Sequence, residues 1–413
     1  MKPITIRNEE LSERSRRNLF ILETIRRSGP ISKADISRIS GVNVVTISNY
    51  IEGYLRSNLV RVKSLDVSAG GRRPALLALN PHGGLAVGVG LNLLGMIGLV
   101  VDLHGLVIAR VDKNRPGVDA KEIVDTAVKI ITELFDKLSV SDREKVEGIG
   151  IGIAGIVDQS NGTIRWPGKA ATGPCEYTVL EIGFKDTLEK KFRYPCTVEN
   201  DATVACLGEQ WMNPDPSIEN LIYMFSGVGC GLMFNGEVYH GTTGGAGEIS
   251  LNGLTQIKGA GTPWGAEVDF FHPWQDDFGI PEEVIQTLKN QKITSGPLIE
   301  LTKGKREQVT LREIFQAAKA GDHVCIEKVK CAARRLGCKV ALLVNLLNPQ
   351  MVIIGGGLEE GGSILLDTVR STVAELSFPE MANAVKIIPS RLGGDAVAIG
   401  AASLVVRQVF SKG

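Results

Sequence analysis

The sequence predicts an α/β protein: an N-terminal winged helix-turn-helix, then two α/β lobes with a cleft between them. Three observations carry the prediction. A helix, a glycine turn and a second helix fall within about twenty residues near the start, in a basic context. Farther on, glycine-punctuated strands, then a helix, then a buried strand occur in that order twice. Between the two occurrences stands Val198-Glu199-Asn200-Asp201-Ala202, an amide and a carboxylate where a strand gives way to a helix. The expected boundaries are 1–80 for the winged unit, 81–200 for the first lobe and 201–413 for the second. The last helices are expected to return to the first lobe.

Charge separates these parts. The chain of 413 residues is neutral overall, with 46 Lys and Arg against 46 Asp and Glu. Residues 1–80 hold 14 basic against 7 acidic side chains, and the remainder holds 32 against 39. A basic head on an acidic body suits a polyanion-binding module joined to a unit that is not one. Seven scattered cysteines, odd in number and without a C-x-x-C, fit a reducing cytoplasmic setting. The sequence reading finds no secretory leader and no apolar run near the ~20 residues that span a bilayer, so no membrane is expected.

Leu19, Leu22 and Ile25 recur at helical spacing and stop before Gly29-Pro30. Ser32 with Asp35 opens a second helix that Gly41 ends. Asn43 caps a third, whose inward stripe is expected at Val44, Ile47, Ile51 and Leu55. The outward face then carries Val45, Thr46, Asn49 and Arg56, and with Ser48 beside them these are groups able to reach base edges in a major groove. A plain three-helix end is the structural alternative. Two strands, 59–67 and 74–79, flank Gly70-Gly71-Arg72-Arg73-Pro74, a slim cationic tip suited to a minor groove or a generic basic loop.

The first lobe begins with three strands across 85–111, the middle turn being Asp102-Leu103-His104-Gly105. A helix from Asp119, with Ile123, Ala127, Ile130 and Leu134 inward, leads to a buried strand at 146–153. The second lobe repeats this with strands over 221–238, helices over 310–347 and a strand at 351–354. At the junction, Asn200 donates and accepts while ionised Asp201 only accepts, a pairing that suits a hydroxyl-rich ligand. Helix capping by Asn200 or Asp201 is the competing explanation.

Several segments together resemble the repressor–ORF–kinase (ROK) family. They are 148–158 (GIGIAGIVD within GIGIGIAGIVD), Glu199-Asn200-Asp201-Ala202 through Glu209, Gly244-Gly245-Ala246-Gly247-Glu248, Asn348 through Leu358, and Asp395 through Ala402. The resemblance covers essentially the whole chain and implies an actin-like two-lobed sugar-kinase-type fold. Gly70-Gly71-Arg72-Arg73-Pro74 is similar to the linker of the family's transcriptional repressors. On that resemblance Asn200, Asp201 and Glu248 hold sugar hydroxyls.

The departures matter as much. Where kinases of the family carry Asp-x-Gly-Gly-Thr, this chain has Gly90-Leu91-Asn92-Leu93-Leu94, and Phe225 stands at the first glycine of the second phosphate loop. The family's zinc-ligand His is Leu251 here, and 258–267 contains no cysteine. The expectation is therefore no catalytic residue, no metal and no cofactor. The chain is read as a non-enzymatic regulator of carbohydrate-utilisation genes, a homodimer or tetramer, with a duplex DNA operator and a sugar or sugar-phosphate effector as partners. A kinase with Asp201 as general base and a constitutive DNA-binding dimer without effector are the rivals.

Overall fold

The computed structural model describes residues 11–65, 75–116, 120–158, 162–167, 179–213, 215, 217–225, 229–249, 279–305 and 308–413. Helix α1 (Glu13–Ser28) comes first, followed by the short strand β1 (Ile31–Ser32), α2 (Lys33–Ser40) and α3 (Val44–Arg56). Ser32 caps α2 by accepting the Asp35 N–H, and Gly41 ends it at φ 67°, where a side chain would be strained. Strands β2 (Val60–Leu65) and β3 (Ala75–Leu79) complete an antiparallel sheet ordered β1-β3-β2, the element order of a winged helix.

The buried stripe of α3 differs from the sequence expectation. Ile47 and Ile51 are inside, but Val44 and Leu55 are exposed and Tyr54 takes the third inner position. The Tyr54 hydroxyl donates to Asn18 Oδ1 at 2.8 Å. That bond satisfies a buried hydroxyl against α1 and leaves Leu55, one position on, facing out.

The body follows with β4 (Leu85–Leu91), β5 (Gly95–Asp102), β6 (Val107–Asn114), α4 (Ala120–Lys137), α5 (Val140–Arg143) and β7 (Val146–Ile153). A small sheet of β8 (Ile156–Asp158), β9 (Thr163–Pro167) and β10 (Val179–Gly183) comes next, then α6 (Phe184–Phe192) and β11 (Cys196–Asn200). The first large sheet runs β11-β7-β4-β5-β6, with β4, β7 and β11 parallel and β4, β5 and β6 antiparallel.

Helix α7 (Asp201–Trp211) leads into β12 (Leu221–Phe225), β13 (Gly229–Phe234) and β14 (Glu237–Val238). Helices α8 (Ile280–Asn290), α9 (Pro297–Leu301), α10 (Leu311–Lys319) and α11 (His323–Leu347) precede β15 (Met351–Gly355). The chain closes with α12 (Gly362–Leu376), α13 (Pro379–Ala384), β16 (Lys386–Pro389) and α14 (Ala396–Lys412). The second large sheet, β14-β13-β12-β15-β16, repeats the first in its mix of antiparallel and parallel neighbours.

Packing sets the layers. Ile123, Ala127, Ile130 and Leu134 of α4 cover one face of the first sheet. The other face takes α14, because a Cβ on Gly150 would overlap the Ala401 carbonyl and only glycine admits the helix there. The stretch Gly393–Lys412 is long and apolar enough to cross a membrane by composition, which the sequence reading missed. Most of it is buried in the fold, and its run of small apolar residues matches that packing. One continuous cluster unites Leu22 and Ile25 of α1, Leu99 and Val101 of β5, and Val406 and Phe410 of α14. The N-terminal helices thus share a core with the first large sheet and α14.

Candidate functional site

Two surfaces hold the residues singled out from the sequence. On α3, the Asn43 side chain accepts the Thr46 N–H at 2.8 Å, so this residue caps the helix. Val45 is 73% exposed, Asn49 is exposed, and Thr46 and Ser48 are half-buried on the flanks of that face. Arg72 and Arg73 lie outside the described residues.

The second surface surrounds the start of α7. Strand β11 runs parallel to β7 and stops at Asn200, opposite Ile153. Asn200 Oδ1 accepts the Thr203 N–H at 3.0 Å, and its Nδ2 donates to the Gly155 carbonyl at 3.1 Å. Capping is therefore a role Asn200 performs, and an amide retains one more hydrogen and one more lone pair beyond those bonds. Asp201, 5% exposed, accepts the Ala202 N–H at 2.7 Å in the first turn of α7, where the helix dipole favours an anion.

Glu199 supplies a contact the sequence reading did not single out. Its Oε1 accepts the Asn200 N–H at 2.8 Å, and its Oε2 lies 3.0 Å from His240 Nε2. His240 follows β14, so this pair joins the end of the first sheet to the glycine loop of the second. The clue was available: His240 is one of only five histidines and opens Gly241–Gly247. That loop rests on β8, since a Cβ on Gly244 would meet the Val157 carbonyl at 3.1 Å. Glu248 ends the loop, bridged to Gly229, and burial pushes its carboxyl up to about 7. The Cys230 N–H donates to the Gly247 carbonyl at 2.8 Å, and the next residue, Gly231, packs on the Ala202 carbonyl. Strand β13 thereby ties the Glu248 loop to the first turn of α7.

The end of β15 is covered instead: apolar side chains crowd Gly356 and Gly357, whose N–H groups donate to the Tyr223 hydroxyl at 3.0 Å and the Glu359 carboxylate at 2.8 Å. Asn92 is 3% exposed, and its Oδ1 accepts the N–H groups of Leu94 and Gly95 while its Nδ2 donates to Gly394. It builds the β4–β5 turn, and Leu93 and Leu94 at the tip press on Gly357, with a would-be Cβ 3.2 and 3.1 Å from their side chains. Phe225 fills the space beside Gly356 in the same way, at 2.9 Å. Gly356 and Gly357 have φ of 72° and 110°. A kinase would use such glycines to approach phosphate, and here leucine and phenylalanine occupy that approach.

For zinc, Leu251 and 258–267 lie outside the described residues. Among the described residues no cluster of three metal-ligating side chains is found, and Cys196, Cys206, Cys230 and Cys325 are buried.

The ROK family pattern matches residues 87–262 and 289–408, well over half the chain. The chain belongs to the ROK family. Its relatives include the xylose repressor of Caldicellulosiruptor bescii, 27% identical over 95% of this chain and 96% of that protein. The glucokinase of Halalkalibacterium halodurans is 31% identical over 67% of this chain and 82% of its own length. Among solved structures, a ROK family transcriptional regulator described as a homolog of the Escherichia coli MLC protein superposes with a TM-score of 0.72. It is 23% identical, covers 96% of each chain and shows the two-lobed ROK fold.

Proposed function

We propose that the protein is a transcriptional repressor of carbohydrate-utilisation genes, acting in the cytoplasm as a homodimer or tetramer on duplex DNA and sensing a sugar or sugar phosphate. The parts would be a DNA-binding unit over 1–80 and lobes over 81–200 and 201–413, with α14 returned to the first. Val45, Thr46, Ser48 and Asn49 would face the major groove, with Asn43 at the helix start and Arg72 and Arg73 in the adjacent minor groove. Asn200, Asp201 and Glu248 would take the sugar hydroxyls.

The observation that carries this reading is the contrast within the cleft. Leu93, Leu94 and Phe225 fill the phosphate approach, while a polar cluster surrounds the start of α7. Buried carboxyl groups cost desolvation unless hydrogen-bonded, so a polar wall beside a filled one favours recognition over phosphoryl transfer. The family resemblance to named repressors over nearly the full chain agrees.

Selection of a duplex from a random pool, followed by titration with D-xylose or D-glucose, tests the reading. Sugar-dependent release without ADP formation is expected, and sugar-dependent ADP formation abolished in Asp201→Asn would favour the kinase instead. In the same assay Asn49→Ala should lose about 1–3 kcal/mol of discrimination at its base pair. Arg72→Ala with Arg73→Ala should weaken binding to all sequences and flatten its salt dependence.

A further inference from the structure

We infer that α7 transmits effector occupancy to the winged helix, and that Trp211, Glu23 and Arg26 form its output. The inference rests on the sensing role proposed for Asn200 and Asp201, which start the same helix.

Trp211 ends α7 and is 2% exposed. Its indole N–H donates to Glu23 Oε1 at 3.0 Å, and its carbonyl accepts from Arg26 Nη2 at 2.7 Å. The Arg26 guanidinium also lies over the indole, 4.7 Å from the ring centroid. Glu23 Oε2 takes Arg26 Nε at 2.8 Å and has Arg27 Nε at 3.7 Å. Burial pulls the Arg407 guanidinium of α14 down, and the Glu23 carboxylate counters that pull. A single carboxylate on α1 thus holds the end of α7 through both the indole and Arg26.

The length between the two ends has little freedom to absorb a displacement. Every residue of α7 except Gln210 is buried. A Cβ on Gly400 of α14 would overlap the Val204 carbonyl, and one on Gly208 would meet the Ala396 carbonyl at 2.9 Å. Close-packed helices shift as units, and α7 is only about 16 Å long. A change at its first turn therefore reaches Trp211.

At that point the contacts are directional and largely shielded from water, which makes them sensitive to small shifts. A second tie completes the lever. Asn18 Nδ2 donates to the Ser411 carbonyl at 3.2 Å while Asn18 Oδ1 holds Tyr54 of α3. Moving α1 at Glu23 against this anchor reorients α3, the helix proposed to read DNA.

The test uses full-length protein, the selected duplex, and D-xylose or D-glucose. Trp211→Phe removes the indole donor but keeps an aromatic ring. Glu23→Gln keeps an acceptor but removes the negative charge that pairs with Arg26. Each variant is expected to bind duplex alone and sugar alone within about twofold of wild type, while the factor by which sugar weakens duplex binding shrinks about threefold or more. Linkage requires the same shrinkage when duplex is the varied ligand and sugar affinity is read. An unchanged factor in both variants overturns the inference and leaves the sensing role standing. Loss of sugar affinity in the variants equal to the lost response also overturns it, because Trp211 would then act on the site itself. A wild type that responds to neither sugar overturns the sensing role and the inference together.

Discussion

The two walls of the proposed cleft are built from the ends of two parallel strands, β11 at the edge of the first large sheet and β15 inside the second, yet they are finished differently. At Gly355–Gly357 the end of β15 is covered by Leu93, Leu94 and Phe225. At Asn200 the end of β11 is surrounded by Glu199, Asp201, His240 and the Glu248 loop. Apolar filling stabilises a fold by removing surface from water. Placing several carboxylates together does not, unless hydrogen bonds offset their desolvation. On the function proposed above, the contrast separates residues that serve stability from residues that would meet the ligand.

Substitution on the filled wall should be felt most in folding. Phe225→Ala is expected to cost about 3–5 kcal/mol, measured as a lower urea midpoint, with sugar affinity little changed. Leu94→Ala, at a half-buried position, should cost about 1–2 kcal/mol and should not create ATP binding, since Phe225 still covers Gly356. Nucleotide binding by the Leu94→Ala protein would break the comparison.

A smaller effect distinguishes the walls by pH. Burial pushes the carboxyls of Glu248 and Glu359 up to about 7 from an ordinary 4.5. Between those values the folded chain holds protons that the unfolded chain has released, so stability falls as pH rises through the window. Glu248→Gln and Glu359→Gln should each flatten the fall in melting temperature between pH 5 and 7. Saturating sugar should alter the part removed by Glu248→Gln and leave the Glu359 part as it was. Equal sensitivity of both to sugar would mean that the ligand does not discriminate between the walls.

Local rules made much of this legible. Ser32 and Asn43 mark helix starts in sequence as they do in the fold. The glycine-broken strands at 85–102 and 221–234 were readable from alternation and punctuation. Tyr54 replaced Leu55 inside α3 because its hydroxyl finds Asn18, a partner 36 residues away that no periodicity reveals. Strands β9 and β10 went unread because each is short and pairs only within its own small sheet. Asn200 and Asp201 stand out by residue type at a strand end, whereas the contact of His240 with Glu199 appears only in the fold. The Trp211–Glu23 bond spans 188 residues, and nothing in either local sequence announces it.

The account stands most directly on calorimetry of D-xylose and D-glucose binding to wild type and Asp201→Ala, with and without Mg-ATP. One or both sugars should bind wild type with no dependence on nucleotide. A charged hydrogen bond contributes ~1.5–3 kcal/mol, so Asp201→Ala should bind about tenfold to a hundredfold more weakly. Sugar binding that needs ATP, or an Asp201→Ala protein that binds as tightly as wild type, would contradict it.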